Sequence, residues 1–217
     1  MTIKLQSLLA ACPSVLAAVL VCPAVQAQDN TFKLGITRYD THSVTSGIKG
    51  IGVPPGADAK TGDATTVIFV YERLLMPNVG VEFVLGIPPR IKSRATGTVA
   101  FLGGDVLSAR NVAPTVLLNY HFGTAGDAWR PYVGLGVNYT KFASARSSIA
   151  PQVDLSDSVG LAAQLGVNYA LSKQWGLFAS IAAVKVKSDL VAVASSVLTT
   201  TIDFKPIIYS AGLSYKF

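Results

Sequence analysis

The chain has 217 residues, half of them hydrophobic and 14% charged, with 18 Lys+Arg against 12 Asp+Glu. That is too apolar for a disordered segment and the right size for one domain. A mean hydropathy of +0.45 is high for a water-soluble globule, yet beyond the N-terminus no run of about 18 uncharged apolar residues is present to form a spanning helix. The apolar residues come in short pieces between 19 Gly and 11 Pro, as in a sheet protein with many turns, and a membrane protein without spanning helices must be a closed barrel.

At the N-terminus, Lys4, the apolar stretch 8–21 and the small-residue site Ala24-Val25-Gln26-Ala27 read as a secretory signal peptide over 1–27, leaving 28–217 as the barrel domain. Cys12 and Cys22 are the only cysteines, so the remainder carries no disulfide and no thiol chemistry. Reading Leu9-Ala10-Ala11-Cys12 as a lipoprotein box would place Pro13 beside the acylated residue and leave only a short apolar region, which disfavours it. Downstream the basic residues are dispersed, without the block that marks a nucleic-acid surface.

From Thr31 onward, period-2 hydrophobicity predicts strands at 31–41, 65–75, 79–88, 113–123, 130–142, 158–170, 174–186 and 204–217. Short turns near 76–78, 124–129 and 171–173 alternate with long connections near 42–64, 89–112, 143–157 and 187–203. The fold class is therefore all-β, an eight-stranded antiparallel transmembrane β-barrel with short periplasmic turns, long outer loops and both termini on the turn side. Parity separates the two faces. Val133, Leu135 and Val137 oppose Gly134, Gly136 and Asn138, and Leu161, Ala163 and Leu165 oppose Gly160, Gln164 and Gly166; periodicity does not say which set is outer, and the position of the aromatics assigns the first to lipid and the second to the inside. Tyr120, Tyr139, Trp175 and Tyr215 near strand ends fit the aromatic girdles of a bilayer interface. The last strand ends in Gly212, Tyr215 and Phe217 with the apolar residues on one face, resembling the terminal signal read by the bacterial barrel-assembly machinery.

The same parity predicts an apolar constriction of Val84, Leu117 and Phe178, with Glu82, Asn119 and Gln164 as the polar part toward the periplasm. Pro88 and Pro89 end the third predicted strand and Pro114 opens the fourth. Three residues without N–H groups predict an unclosed ladder near Ile87 and Ala113, bordered by Ile87, Ile91 and Val112. The alternative is that these prolines only mark loop boundaries. The connections 42–64, 89–112 and 187–203 carry many apolar residues, among them Ile51, Phe101 and Val191, expected both to extend the wall and to line a binding site.

Catalytic signals are weak. Asp40 and His42 share a face at the outer end of the first strand, but no nucleophile elbow accompanies them. His121 reads as a hydrogen-bonded lumenal residue, Asp154 and Asp157 lack EF-hand spacing, and neither Gly103-Gly104 nor Gly134-x-Gly136 opens a helix. No catalytic, cofactor or metal site is expected.

Asn78-Val79-Gly80-Val81-Glu82, Ala113-Pro114-Thr115, Tyr120-His121-Phe122-Gly123, the block Arg130-Pro131-Tyr132-Val133-Gly134-Leu135-Gly136-Val137-Asn138-Tyr139 and Gly166-Val167-Asn168-Tyr169 together resemble the outer membrane protein W family. The resemblance implies an eight-stranded barrel in the bacterial outer membrane with a narrow, hydrophobic-lined passage for small apolar compounds, and Val84 matches one of that family's inward positions. The segment from Asn78 to Lys92 is similar to branches associated with uptake of hydrophobic molecules. Ala182 and Ala183 depart from the bulky aromatics common there. The expected partners are outer-membrane lipids, the barrel-assembly machinery and a small hydrophobic substrate. Two other readings remain open: a structural or adhesive barrel without transport, and a lipid-acting outer-membrane enzyme.

Overall fold

The computed structural model describes residues 30–193 and 197–217. The signal-peptide reading of 1–27, with Cys12 and Cys22, lies outside the described residues.

Fifteen strands are described: β1 (Asn30–Thr41), β2 (Val44–Thr45), β3 (Ala57–Thr61), β4 (Ala64–Met76), β5 (Val79–Gly86), β6 (Arg90–Gly97), β7 (Asp105–Val112), β8 (Thr115–His121), β9 (Trp129–Ser147), β10 (Gln152–Leu155), β11 (Ser158–Ala170), β12 (Trp175–Val184), β13 (Lys187–Val193), β14 (Val197–Asp203) and β15 (Pro206–Lys216). Eight of them form the barrel, all antiparallel, in the order β1, β4, β5, β8, β9, β11, β12, β15. The last returns to the first from Thr31↔Lys216 to Thr41↔Pro206. Closure matters because lipid offers no hydrogen bonds to an unpaired edge.

These eight strands match the eight expected from periodicity, with informative differences at their ends. The third and fourth are shorter than predicted, stopping at Gly86 and starting at Thr115, because the prolines next to those ends cannot donate to a ladder. The fifth is longer: β9 runs 19 residues to Ser147, since beyond the barrel its edge pairs with β7, from Val112↔Lys141 to Leu107↔Ser147. The long connections hold seven further strands in two walls above the barrel. One is β9-β7-β6-β3 and the other β10-β13-β14-β2. Their apolar residues thus serve in part as wall.

Alternate residues face out or in as parity dictates. Leu135 is 71% exposed, and Val137, Leu161 and Leu165 are exposed with it, while Asn138, Thr140, Ala162 and Gln164 are buried. Aromatic pairs gather at the turn end, with Trp129–Tyr169 ring centroids 4.6 Å apart and Trp175–Tyr215 at 4.9 Å.

Placing a charge on the apolar belt tests this orientation. Leu135→Arg should lower the unfolding free energy in lipid vesicles by about 2–4 kcal/mol; a urea midpoint equal to that of the parent would contradict it.

Candidate functional site

The interior divides into two storeys, and the sequence explains each. Toward the turn end, inward positions on five strands are polar, and they converge on Lys33 of β1. Its ammonium lies 2.9 Å from Glu72 Oε2 and 2.8 Å from Glu82 Oε2, with side chains only 0–4% exposed. Glu72 of β4 and Glu82 of β5 are directly opposite each other in the ladder, so Lys33 separates two carboxylates that would otherwise repel. The remaining lone pairs are filled. Asn119 Nδ2 donates to Glu72 Oε1 at 2.9 Å, His121 Nε2 meets the same oxygen at 2.6 Å, and Gln164 Nε2 donates to both Glu82 Oε1 (2.9 Å) and Asn119 Oδ1 (2.8 Å). The Tyr132 ring centroid lies 4.9 Å from the ammonium and that of Phe178 5.7 Å, so β9 and β12 join the brace. Tyr132 can cross the lumen because it packs onto Gly166, where an added Cβ would fall 2.3 Å from the phenol ring.

Above the brace the lining turns apolar. Phe178 packs with Ile68, Val70 and Val84, and higher still Leu117, Ala162, Val184, Val186, Ile202 and Phe204 form one cluster. The Phe178 ring approaches the backbone of β1, where an added Cβ on Gly35 would meet it at 2.8 Å. Phe142 and Phe204 stack at 5.3 Å across the mouth. The cavity left between these side chains is about 80 Å³, well below the roughly 300–1,000 Å³ of a small-molecule pocket. Ala182 lines it.

All six lumenal residues named from sequence face the barrel interior. Leu117, Phe178, Glu82, Asn119 and Gln164 are buried, and Val84 packs against both apolar groups. Sequence reasoning missed Lys33 and Glu72, on which the brace turns. The signal was present: Lys33 has inward parity between Phe32 and Leu34 on a membrane strand, where a charge requires a partner.

The side wall is broken at the prolines. Between β5 and β8 the ladder runs from Val79↔Tyr120 to Val84↔Thr115 and stops. Among the described residues the next backbone bond across is Asn111 N–H to Pro89 O at 3.1 Å, where β6 and β7 begin their own pairing at Arg90↔Arg110. Each lip is held by its other neighbour. Ile87 N–H donates to Val67 O, and Tyr139 N–H donates to Pro114 O. Gly86, Ile91, Asn111 and Ala113 line the interior cavity at this level, whereas Ile87 is half-exposed to the outside. Pro88 and Val112 complete the two lips. Asn138 Nδ2, 2.8 Å from Thr115 Oγ1, also reaches the Pro114 carbonyl at 3.4 Å, so this inward asparagine helps to fix one lip.

At the outer rim Asp63 accepts from Thr41 N–H at 3.2 Å and from Arg38 at 3.0 Å, and the Thr41 N–H, more than the Arg38 charge, lowers its carboxyl pKa from the ordinary value. Asp105 is likewise lowered, chiefly by the Lys92 ammonium at 2.7 Å. His42 is exposed, and among the described residues no hydrogen bond joins it to Asp40. At the other end, the Phe217 N–H donates to Asn30 O at 3.0 Å and its ring stacks on Tyr215 at 6.3 Å. Gly212 faces Gly35 across the closing ladder.

Removing the cation from the brace leaves two buried carboxylates face to face. Lys33→Met should cost about 3–5 kcal/mol of folding stability, read as a fall in the urea midpoint in vesicles; an unchanged midpoint would show that the brace contributes nothing net.

Comparison with known proteins places this architecture. The sequence profile of the OmpW family matches residues 26–217. Outer membrane protein AlkL of Ectopseudomonas oleovorans is 31% identical over 170 residues, 77% of this chain and 73% of that protein. The dibenzothiophene metabolism operon protein PahQ of Pseudomonas aeruginosa is 32% identical over 163 residues, 73% of this chain and 74% of its own length. The crystal structure of the outer membrane protein OprG from Pseudomonas aeruginosa superposes with a TM-score of 0.81 at 26% identity, covering 88% of this chain and 97% of that one. With sequence and barrel agreeing over nearly its whole length, the chain belongs to the OmpW family of bacterial outer-membrane proteins.

Proposed function

We propose that the protein takes up small hydrophobic molecules from outside the cell through its apolar upper lumen and releases them sideways, through the break between β5 and β8, into the membrane. The observation that carries this reading is the position of the break. It lies at the level of the apolar cavity and above the Lys33 brace, so an apolar solute entering from the loops meets a lipid-facing opening before it meets buried charge. Continuing to the periplasm would return the solute to water at about 0.8 kcal/mol per CH₂, after disrupting a salt-bridged cluster. Sideways exit avoids both costs. Val84, Leu117 and Phe178 form the apolar approach; Glu82, Asn119 and Gln164 belong to the floor; and Ile87, Pro88, Pro89, Ile91, Val112 and Pro114 frame the exit. The similarity to AlkL and to a protein named for a dibenzothiophene metabolism operon supports a hydrophobic cargo. Because the cavity at rest is small, passage requires the Phe142–Phe204 mouth and the lips to move apart.

Joining the lips tests the reading. Extending the β5–β8 register places Gly86 opposite Ala113, and with Cys12 and Cys22 the only cysteines of the chain, cysteines introduced at both positions can be linked by a short bis-thiol reagent. The linked barrel should take up an apolar fluorophore in vesicles no faster than protein-free controls, and cleavage of the linker should restore uptake. Unaltered uptake by the linked, folded protein would exclude the sideways route. In the same proposal Gly212, Tyr215 and Phe217 direct assembly, so deleting Phe217 should lower the heat-modifiable folded fraction in cells; normal folded levels on unboiled gels would remove that role.

A further inference from the structure

On the outer surface of the wall, β12 and β15 change chemistry at the same level. The outward residues of β12 are Leu177, Ala179, Ile181 and Ala183, and those of β15 are Leu213, Ala211, Tyr209 and Ile207, with Ala183 opposite Ile207. The next outward residues are lysines on both strands, Lys185 and Lys205. Val186 O accepts from Phe204 N–H at 2.9 Å, and the register resumes unchanged at Lys187↔Asp203, so carrying the register through this interval sets Lys185 opposite Lys205. Like charges in that position repel.

The neutralising groups nearby are few. Asp203 is 3.7 Å from Lys205, and Asp40, opposite Ile207, sits one outward position below the pair. Among the described residues Lys185 and Lys187 have no ion-pair partner, and both are exposed. Lys205 itself holds a left-handed backbone, φ 39°, which a side-chain-bearing residue rarely adopts and which tends to persist where function requires it. Beside the lysines, Leu161 and Val159 of β11 are 70% and 76% exposed, and Leu161 O accepts the Lys185 N–H. Apolar wall therefore rises alongside the ammonium groups. A ligand that satisfies this surface carries an anionic head and an apolar tail.

We infer that Lys185 and Lys205, with Lys187, form a binding site for an anionic phosphate monoester on a lipid headgroup in the outer leaflet, whose acyl chains lie along Leu161 and Val159. Phosphate oxygens between the two ammonium groups turn a repulsive pair into two charge-assisted contacts. The site faces away from the lumen, so it stands whether or not the uptake reading holds.

The test uses the barrel refolded into dimyristoylphosphatidylcholine vesicles, alone or containing either bis-phosphorylated lipid A or the same lipid with its phosphates removed, and reads the midpoint of heat-modifiability on gels. Phosphorylated lipid A should raise the midpoint by about 4 °C, and the dephosphorylated lipid should not. Lys185→Gln/Lys205→Gln should abolish the rise. Lys185→Gln alone, which leaves the Lys205 backbone untouched, should reduce it and should not lower the midpoint in phosphatidylcholine alone, where the repulsion is relieved. Lys173→Gln, at the opposite end of the barrel, should keep the full rise. A rise that is independent of the lipid phosphate, that is undiminished in Lys185→Gln, or that inorganic phosphate reproduces with phosphatidylcholine vesicles would overturn the lipid site.

Discussion

Everything in this molecule follows from the requirement that a backbone in hydrocarbon must satisfy its own hydrogen bonds. The eight ladders do so by closing β15 onto β1, and closure fixes which side chains see lipid and which see one another. An interior this narrow cannot hold water in quantity, so the inward polar residues have to satisfy each other. That is the origin of the Lys33 brace. It is less an added stabiliser than the arrangement by which Lys33, Glu72 and Glu82 can be buried together at all, since a buried pair gains little over apolar packing but loses much if one partner is missing.

The break between β5 and β8 is the one place in the described barrel wall where the requirement is relaxed, and the relaxation is local. Each lip keeps its bonds to its outer neighbour, through Ile87 and Val67 on one side and Tyr139 and Pro114 on the other; the pair missing between the lips is Gly86 with Ala113, and Pro88, next in line on the β5 side, has no N–H to leave unpaired. An opening built from ordinary residues would strand several donors in lipid. Among the described residues the gap leaves only the Gly86 and Ala113 donors without a cross-strand partner, and the loop strands β6 and β7 re-pair immediately above it. The discontinuity is therefore bounded at both ends.

Much of this was legible in the sequence, because period-2 alternation is a strong signal where one face meets lipid. The split of Val133, Leu135 and Val137 against Gly134, Gly136 and Asn138 gave both the strand and its facing, and the inward parity of Glu82, Asn119 and Gln164 gave much of the polar floor. What stayed hidden depends on partners distant in the chain. Lys33 and Glu82 are 49 positions apart and Gln164 and Glu82 are 82 apart, separations that no local pattern encodes. The outer strands were concealed for a different reason. Arg90 to Ala95 alternates between charged and small or apolar residues, but above the membrane both faces of a wall tolerate mixed chemistry, so alternation loses its meaning. The apolar content of those segments could be read; their pairing could not.

The bond from the Phe217 N–H to Asn30 O bears on time as well as structure. The strands that seal the barrel are the first and the last of the described chain, so their pairing has the greatest sequence separation available, the topology that slows folding most. Until residue 217 has been synthesised, one edge of β1 has no partner, and throughout that interval it is a template for wrong pairings. A folding order in which strands commit to the membrane one by one as they are made would expose that edge for the longest time, whereas simultaneous insertion of a loosely assembled sheet hides it until the final register locks.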